Sequence, residues 1–195
     1  MDASDGALVT RARVGEADAF RALVERHSRP VFRLAFRMTG NEQDAEDVVQ
    51  ESMLRAYKQL AKFDQRASFG TWLYRIATNC SLDLVRSRKR RTEDRTAASG
   101  GGGGEVEDPV MTVASQDPNP ERMALSGEVR ERLTAAMDGL SAVERATFVL
   151  RHFEGMGIED IGRALECQPG AAKHSVFRAV QKLRRALEPL VSAAR

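Results

Sequence analysis

Apolar residues recur at spacings of three and four along most of the chain, and no stretch shows sustained alternation of β-branched residues. The pattern therefore predicts an all-α protein. Phe20, Leu23, Val24, Val31, Leu34, Ala35 and Met38 mark helical structure over 14–38. Pro30 sits either in the first turn of a second helix or at a kink in a single one. Thr39-Gly40-Asn41 reads as a stop and turn. The next helix runs from about Glu42 to Leu60, with Ala45, Val49, Ala56 and Leu60 on one side and Val48, Met53 and Tyr57 flanking. A loop over 62–68 precedes a helix over about 69–90, outlined by Trp72, Leu73, Ile76, Leu82 and Val85.

The C-terminal half carries sharper local signals. Ser141-Ala142-Val143-Glu144 matches a capping box, in which the serine accepts from the amide three residues on and the glutamate answers back. That helix continues through Phe148, Val149 and Phe153 and stops at Gly155 and Gly157. A short helix follows with Ile158, Ile161 and Leu165. Gln168-Pro169-Gly170 makes a turn, and a last helix starts near Gly170 or Ala171 with Val176, Val180, Leu183 and Leu187 toward the core. Short helix, turn and longer basic helix form a helix-turn-helix arrangement.

Between the halves, Gly100 to Gly104 are followed by acidic and proline-rich residues with few apolar side chains to offset the cost of ordering. The expected organisation is two small helical domains, 14–91 and 128–190, joined by a flexible Gly/Pro/acidic linker over 92–127. Hydrophobic residues at 42% suffice for two small cores. No apolar run reaches the ~18 residues of a membrane span, and the acidic N-terminus lacks the basic-then-apolar pattern of a secretory signal. By absence of the alternatives the chain reads as cytoplasmic. Cys80 and Cys167 make neither a disulfide framework nor a metal-ligand pair.

The formal net charge is only +2, but it is segregated along the chain. Residues 1–62 are balanced, 63–95 sum to +4, 96–127 to −4 and 128–195 to +2. The last helix carries Lys173, Arg178, Lys182, Arg184, Arg185 and Arg195 against a single acidic residue, Glu188. With its apolar stripe inward, Lys173, His174 and Phe177 point out near the helix start, where a recognition helix meets base edges, and Arg178 and Lys182 are placed for phosphates. Arg86, Arg88, Lys89, Arg90 and Arg91 make a second basic stretch suited to a phosphate backbone. Basic residues also suit a helix C-terminus, so that charge alone does not prove a ligand.

Glu42, Asp44, Glu46, Asp47 and Glu51 give the opposite field. Carboxylates near a helix start stabilise the helix, but five in ten residues repel DNA and fit a basic protein partner. Phe63, Phe69, Trp72 and Tyr74 cluster around the 62–68 loop. Such residues are usually core, yet aromatic and amide side chains beside a loop also receive unstacked bases. Asn79 lies on the same helix, near the face of Trp72. Enzyme chemistry has little support: His27, His152 and His174 are scattered, the glycine run lacks a phosphate-cradling context, and Glu46, Asp47 and Glu51 alone are a weak divalent-ion face. No catalytic residue, metal or cofactor is expected. From the residues alone, a conventional helix-turn-helix regulator of duplex DNA and a protein-binding adaptor both remain open.

Two stretches narrow the choice. The first is Thr39-Gly40-Asn41-Glu42-Gln43-Asp44-Ala45-Glu46-Asp47-Val48-Val49-Gln50-Glu51 with Phe69-Gly70-Thr71-Trp72-Leu73-Tyr74-Arg75-Ile76-Ala77-Thr78-Asn79. The second is Leu140-Ser141-Ala142-Val143-Glu144-Arg145 through Gly155, then Ile161 and Gly170 to Leu187. In this order, around a long linker, they resemble regions 2 and 4 of the bacterial sigma-70 family, in its extracytoplasmic-function (ECF) branch. The resemblance covers about 16–91 and 128–188.

The resemblance implies a sigma factor, a non-enzymatic subunit that directs core RNA polymerase to promoters. It implies that Asp47, Gln50 and Glu51 meet the polymerase clamp helices. It places Asp64, Gln65, Arg66, Ser68, Phe69 and Asn79 on the unstacked non-template strand of the −10 element, and Arg86, Arg88, Lys89 and Arg90 on the adjoining backbone. It places Ala171, Lys173, His174, Ser175, Phe177, Arg178 and Lys182 on the −35 duplex, with region 4 on the polymerase flap. It also implies an anti-sigma factor that covers polymerase-binding surfaces. The recognition helix departs from the usual Gly-Thr-Val-Lys-Ser-Arg-Leu-His-Arg-Ala: Ser175 stands for an arginine and Phe177 for a histidine. That change predicts altered −35 contacts, with Phe177 suited to a thymine methyl.

Overall fold

A computed structural model describes the backbone of residues 4–98 and 131–193, and side chains over 4–92 and 131–188. The expected linker lies, from residue 99 on, outside the described residues. The N-terminal half comprises α1 (Asp5–Arg13), α2 (Ala17–Thr39), α3 (Glu42–Gln59), a 3-10 turn (Leu60–Lys62) and α4 (Phe69–Ala98). The C-terminal half comprises a helical segment over 131–138 (α5), α6 (Ala142–His152), α7 (Ile158–Ala164) and α8 (Pro169–Ala193). Among the described residues there is no strand.

Local signals explain most boundaries. Pro30 lies inside a single helix, α2, so the continuous-helix alternative holds. The helix ends where Gly40 takes a left-handed φ of 70°, a conformation that costs a side chain but not glycine. Asn41 then caps α3, its side chain accepting from the Asp44 amide at 2.9 Å. Both halves of the capping box form at α6: the Glu144 amide donates to Ser141 Oγ at 3.3 Å, and the Ser141 amide to Glu144 Oε2 at 2.9 Å. In the helix-turn-helix, a Cβ at Gly162 would stand 2.9 Å from the Cys167 carbonyl, so α7 approaches the turn closely only because that position is glycine.

Three differences from the sequence reading have physical causes. The N-terminal bundle begins at α1, before residue 14, because Leu8, Val9 and Ala12 are buried against it. Helix α4 continues past 91 to Ala98. On α8 the fully buried stripe is Ala172, Ser175, Ala179 and Leu183, with Val176, Val180 and Leu187 only half-buried. Small residues there let α8 lie close on α6.

The two halves pack against each other. One hydrophobic cluster runs from Leu23, Leu34 and Leu73 into Val149, Leu150 and Ile161. The Arg37 guanidinium lies 4.2 Å from the Phe153 ring centroid and 3.6 Å from the Glu154 carboxylate. Arg145 donates to the Met38 carbonyl at 3.4 Å, and Arg75 to the Arg163 carbonyl at 3.3 Å.

Candidate protein and nucleic-acid interfaces

Helix α3 divides its residues cleanly. Ala45, Val48, Ser52, Met53 and Ala56 are buried, which leaves Asp47, Gln50, Glu51 and Leu54 along one outward stripe. Asp47 and Gln50 are exposed. Glu51 accepts from Arg55 at 2.6 Å, so part of its charge is compensated within the helix. Leu54 and Tyr57 are exposed apolar residues beside the acidic ones. Sequence reasoning counted Tyr57 as flanking core; the alternation of burial along α3 is what turns it out. Asp44 is not part of the exposed field, because it is buried against Arg88. Burial raises the Asp44 pKa, and Arg88 only partly opposes that.

The loop before α4 presents Asp64, Gln65, Arg66, Ala67 and Ser68 to solvent. The Asp64 carboxylate accepts from the Arg66 amide at 3.2 Å, and Ser68 Oγ accepts from the Thr71 amide at 3.1 Å. Gln65 sits at the turn with φ +58°. Phe69 belongs to the core instead: it is 3% exposed and packs on Phe63, Trp72 and His27. Its ring closes the hydrophobic floor under the loop, so it supports that loop rather than facing outward with it. Phe63 and Trp72 stack at 4.8 Å. Tyr74 is not in this cluster; it faces Glu154, and burial together with that carboxylate pushes its hydroxyl up to about 12. Asn79 is half-buried on α4, and Arg86, Arg88, Lys89 and Arg90 are exposed along its C-terminal part.

On α8, Ala171, Lys173, His174, Phe177 and Arg178 are exposed, with Phe177 at 59%. Ser175 is not on that face. It is 3% exposed and its hydroxyl accepts from Thr147 at 3.2 Å. The stripe that packs on α6 runs through position 175, which is why a serine there turns inward. Lys182 donates to the buried Glu144 carboxylate at 2.7 Å, and Arg178 stands 3.6 Å from it. Burial raises the Glu144 pKa, but Lys182 and the Ser141 bonds outweigh it and hold the carboxyl below the usual range. Glu144 thus caps its own helix and ties α8 to it, a double role that the capping motif alone did not reveal. An apolar groove of about 590 Å³ lies between α5, α6 and α8, lined by Leu133, Phe148, Val180, Leu183 and Leu187.

His152 is exposed, its ring 4.8 Å from that of Phe148. Cys80 is buried, and burial raises its pKa, away from the reactive thiolate. Among the described residues no group of three or more His, Cys, Asp or Glu could hold a metal ion, and no helix is long and apolar enough to cross a membrane.

An acidic outward stripe, a loop on an aromatic floor and an exposed recognition-helix face thus stand in the chain order read from the sequence. The family model for sigma-70 region 2 matches residues 23–91, and that for sigma-70 region 4 matches 130–183. Along its whole length the chain is similar to the RNA polymerase sigma-H factor of Pseudomonas aeruginosa, with 32% identity over 97% of each chain. The chain belongs to the ECF branch of the sigma-70 family. A further relative is the ECF RNA polymerase sigma factor SigE of Mycolicibacterium smegmatis, 35% identical over 83% of this chain; the match spans 59% of that protein's length. The fold is similar to that of the sigma factor RpoE of Bartonella quintana, solved in complex with the anti-sigma factor NepR, with a TM-score of 0.64, 21% identity and coverage of 87% and 96% of the two chains. The region 2 match runs from Leu23 within α2 through α3 into α4, and the region 4 match from α5 to Leu183 within α8. The sigma factor's activity is that of a non-enzymatic initiation factor acting with RNA polymerase.

Proposed function

We propose that this ECF sigma factor divides promoter recognition among three surfaces. The α3 stripe of Asp47, Gln50, Glu51 and Leu54 docks on core polymerase, with carboxylates steering toward a basic partner and Leu54 and Tyr57 supplying apolar contact. The loop residues Asp64, Gln65, Arg66 and Ser68, with Asn79, hold the unstacked −10 strand above the aromatic floor. Arg86, Arg88, Lys89 and Arg90 follow the adjoining backbone. Lys173, His174 and Phe177 read the −35 duplex from the start of α8, while Arg178 and Lys182 approach phosphates from a position shared with Glu144. The groove beside Phe148 takes an apolar segment of the polymerase flap.

The observation that carries this reading is the outward stripe on α3 set apart from the exposed face of α8. One binds protein and the other DNA, and a chain with both brings polymerase to a site. The chain works in the cytoplasm, where polymerase is, and is held inactive there by an anti-sigma factor, as the neighbouring RpoE is bound by NepR. The test is run-off transcription with purified core polymerase on pooled promoter fragments. Specific transcripts appear only with the protein, and their start sites give the −10 and −35 sequences. Asp47→Lys with Glu51→Lys abolishes those transcripts and core-polymerase binding in a pull-down; unchanged binding removes α3 from the docking surface.

A further inference from the structure

Helix α1 lies outside the residues matched by the region 2 model, which begins at 23, and no motif in it points to a role. It nevertheless touches the 64–68 loop's surroundings at three points. At the entrance, Arg13 donates to the Ala61 carbonyl at 2.6 Å, in the 3-10 turn that leads into the loop. At the tip, Gln65 Oε1 reaches over Gly6: a Cβ on that glycine would stand 3.9 Å away. At the exit, Asp5 Oδ2 bonds His27 Nε2 at 2.8 Å, and the His27 ring meets the edge of Phe69 at 5.2 Å and covers Gly70. Arg26 donates to the other Asp5 oxygen at 2.7 Å, which fixes the carboxylate.

These contacts matter because of what the loop must do. Its five central residues are exposed, and its own hydrogen bonds are local ones at Asp64 and Ser68. Gln65 holds a left-handed φ that non-glycine residues adopt only where surroundings impose it. A loop that waits in its binding shape loses less freedom when a flexible strand arrives, and so binds it more tightly. The local bonds leave the loop's orientation to its anchors, and α1 supplies or orients the anchors at both ends.

We infer that α1 is a positioning element for single-strand capture, acting through Arg13 on the loop entrance and through Asp5–His27 on its exit. This rests on the reading of 64–68 as the −10 strand contact. Neither Asp5 nor Arg13 touches DNA in this arrangement; each acts through the loop. The chemistry of capture stays with the loop and Asn79.

The experiment uses holoenzyme reconstituted from full-length variants and core polymerase. The probe is a labelled non-template −10 oligonucleotide from a promoter mapped by run-off transcription. Arg13→Ala and Asp5→Ala each weaken oligonucleotide binding about three- to tenfold, the scale of ordering one or two side chains on binding. They leave affinity for core polymerase and for a −35 duplex unchanged. Arg13→Lys, which keeps a donor for the Ala61 carbonyl, recovers most of the loss. Oligonucleotide binding equal to that of the parent in both alanine variants overturns the inference. So does a parallel loss of all three affinities, which marks general unfolding, or a failure of Arg13→Lys to differ from Arg13→Ala. If the parent holoenzyme itself does not bind the oligonucleotide, the reading of the loop fails instead.

Discussion

Two neighbouring positions on α8 divide structure from recognition. Ser175 is buried and accepts from Thr147 at 3.2 Å, whereas Phe177 is 59% exposed. A buried hydroxyl pair contributes about 1 kcal/mol net. Ser175→Ala therefore lowers the unfolding free energy by about 1 kcal/mol, with a lower denaturant midpoint, while leaving −35 duplex affinity unchanged. Phe177→Ala does the reverse: an exposed ring adds nothing to the core, so stability holds and discrimination at a −35 thymine falls. Paired denaturation and duplex-binding titrations separate the two. The sequence placed Phe177 correctly outward but put Ser175 beside it. Residues at i and i+2 lie on different helix faces, and the choice of buried face was drawn from Val176 and Val180 rather than from the small residues that pack closest.

At the scale of an element, α6 shows how one carboxylate sets a pH response. Glu144 is buried against Lys182 and the Ser141 amide, and its folded pKa lies below the ordinary carboxylate value. The unfolded chain then binds the proton more readily than the folded one. The stabilisation is fully present above about pH 4.5 and is lost as pH falls from there through the folded pKa. Glu144→Gln is less stable than the parent at pH 7, and the gap narrows by pH 4, as measured by denaturant unfolding at both pH values. The capping box was legible because it is local: four consecutive residues carry it. The Lys182 arm was not, since nothing in the sequence says which turn of α8 passes over the N-terminus of α6.

The whole molecule holds its two halves together through a small polar latch over a shared apolar contact. Arg37 engages Phe153 and Glu154 at once, and Tyr74 meets the same carboxylate. In the proposed division of promoter recognition, regions 2 and 4 reach DNA elements separated by a spacer, so docking competes with joint engagement. Arg37→Ala removes the cation from both partners and shifts the population toward separated halves. Small-angle scattering of the free protein then shows a larger radius of gyration than the parent, with helix content unchanged; an identical radius means the apolar contact and the Arg145 and Arg75 hydrogen bonds hold the halves without Arg37. Phe153 is the residue that sequence reasoning treated as the tail of a helix face. Its partner, Arg37, belongs to the other half of the chain.

The sequence by itself determined the helices α2 to α4 and α6 to α8, most of their ends, the helix-turn-helix, the acidic stripe and the family, but neither α1 nor α5. Each is written in periodicity, capping residues, glycine positions or contiguous motifs, which act over a few residues and need no knowledge of neighbours. Tertiary structure alone decided which of the basic residues also pair within the fold, as Lys182 does with Glu144 and Arg88 with Asp44. It decided that Phe69 supports the loop, that α1 reaches the turn before the loop through Arg13 and the His27 ring behind Phe69 through Asp5, and that the two halves share a contact. Those outcomes depend on which side chains meet across elements distant in sequence, and the energies involved arise from burial and pairing that exist only once the helices are packed.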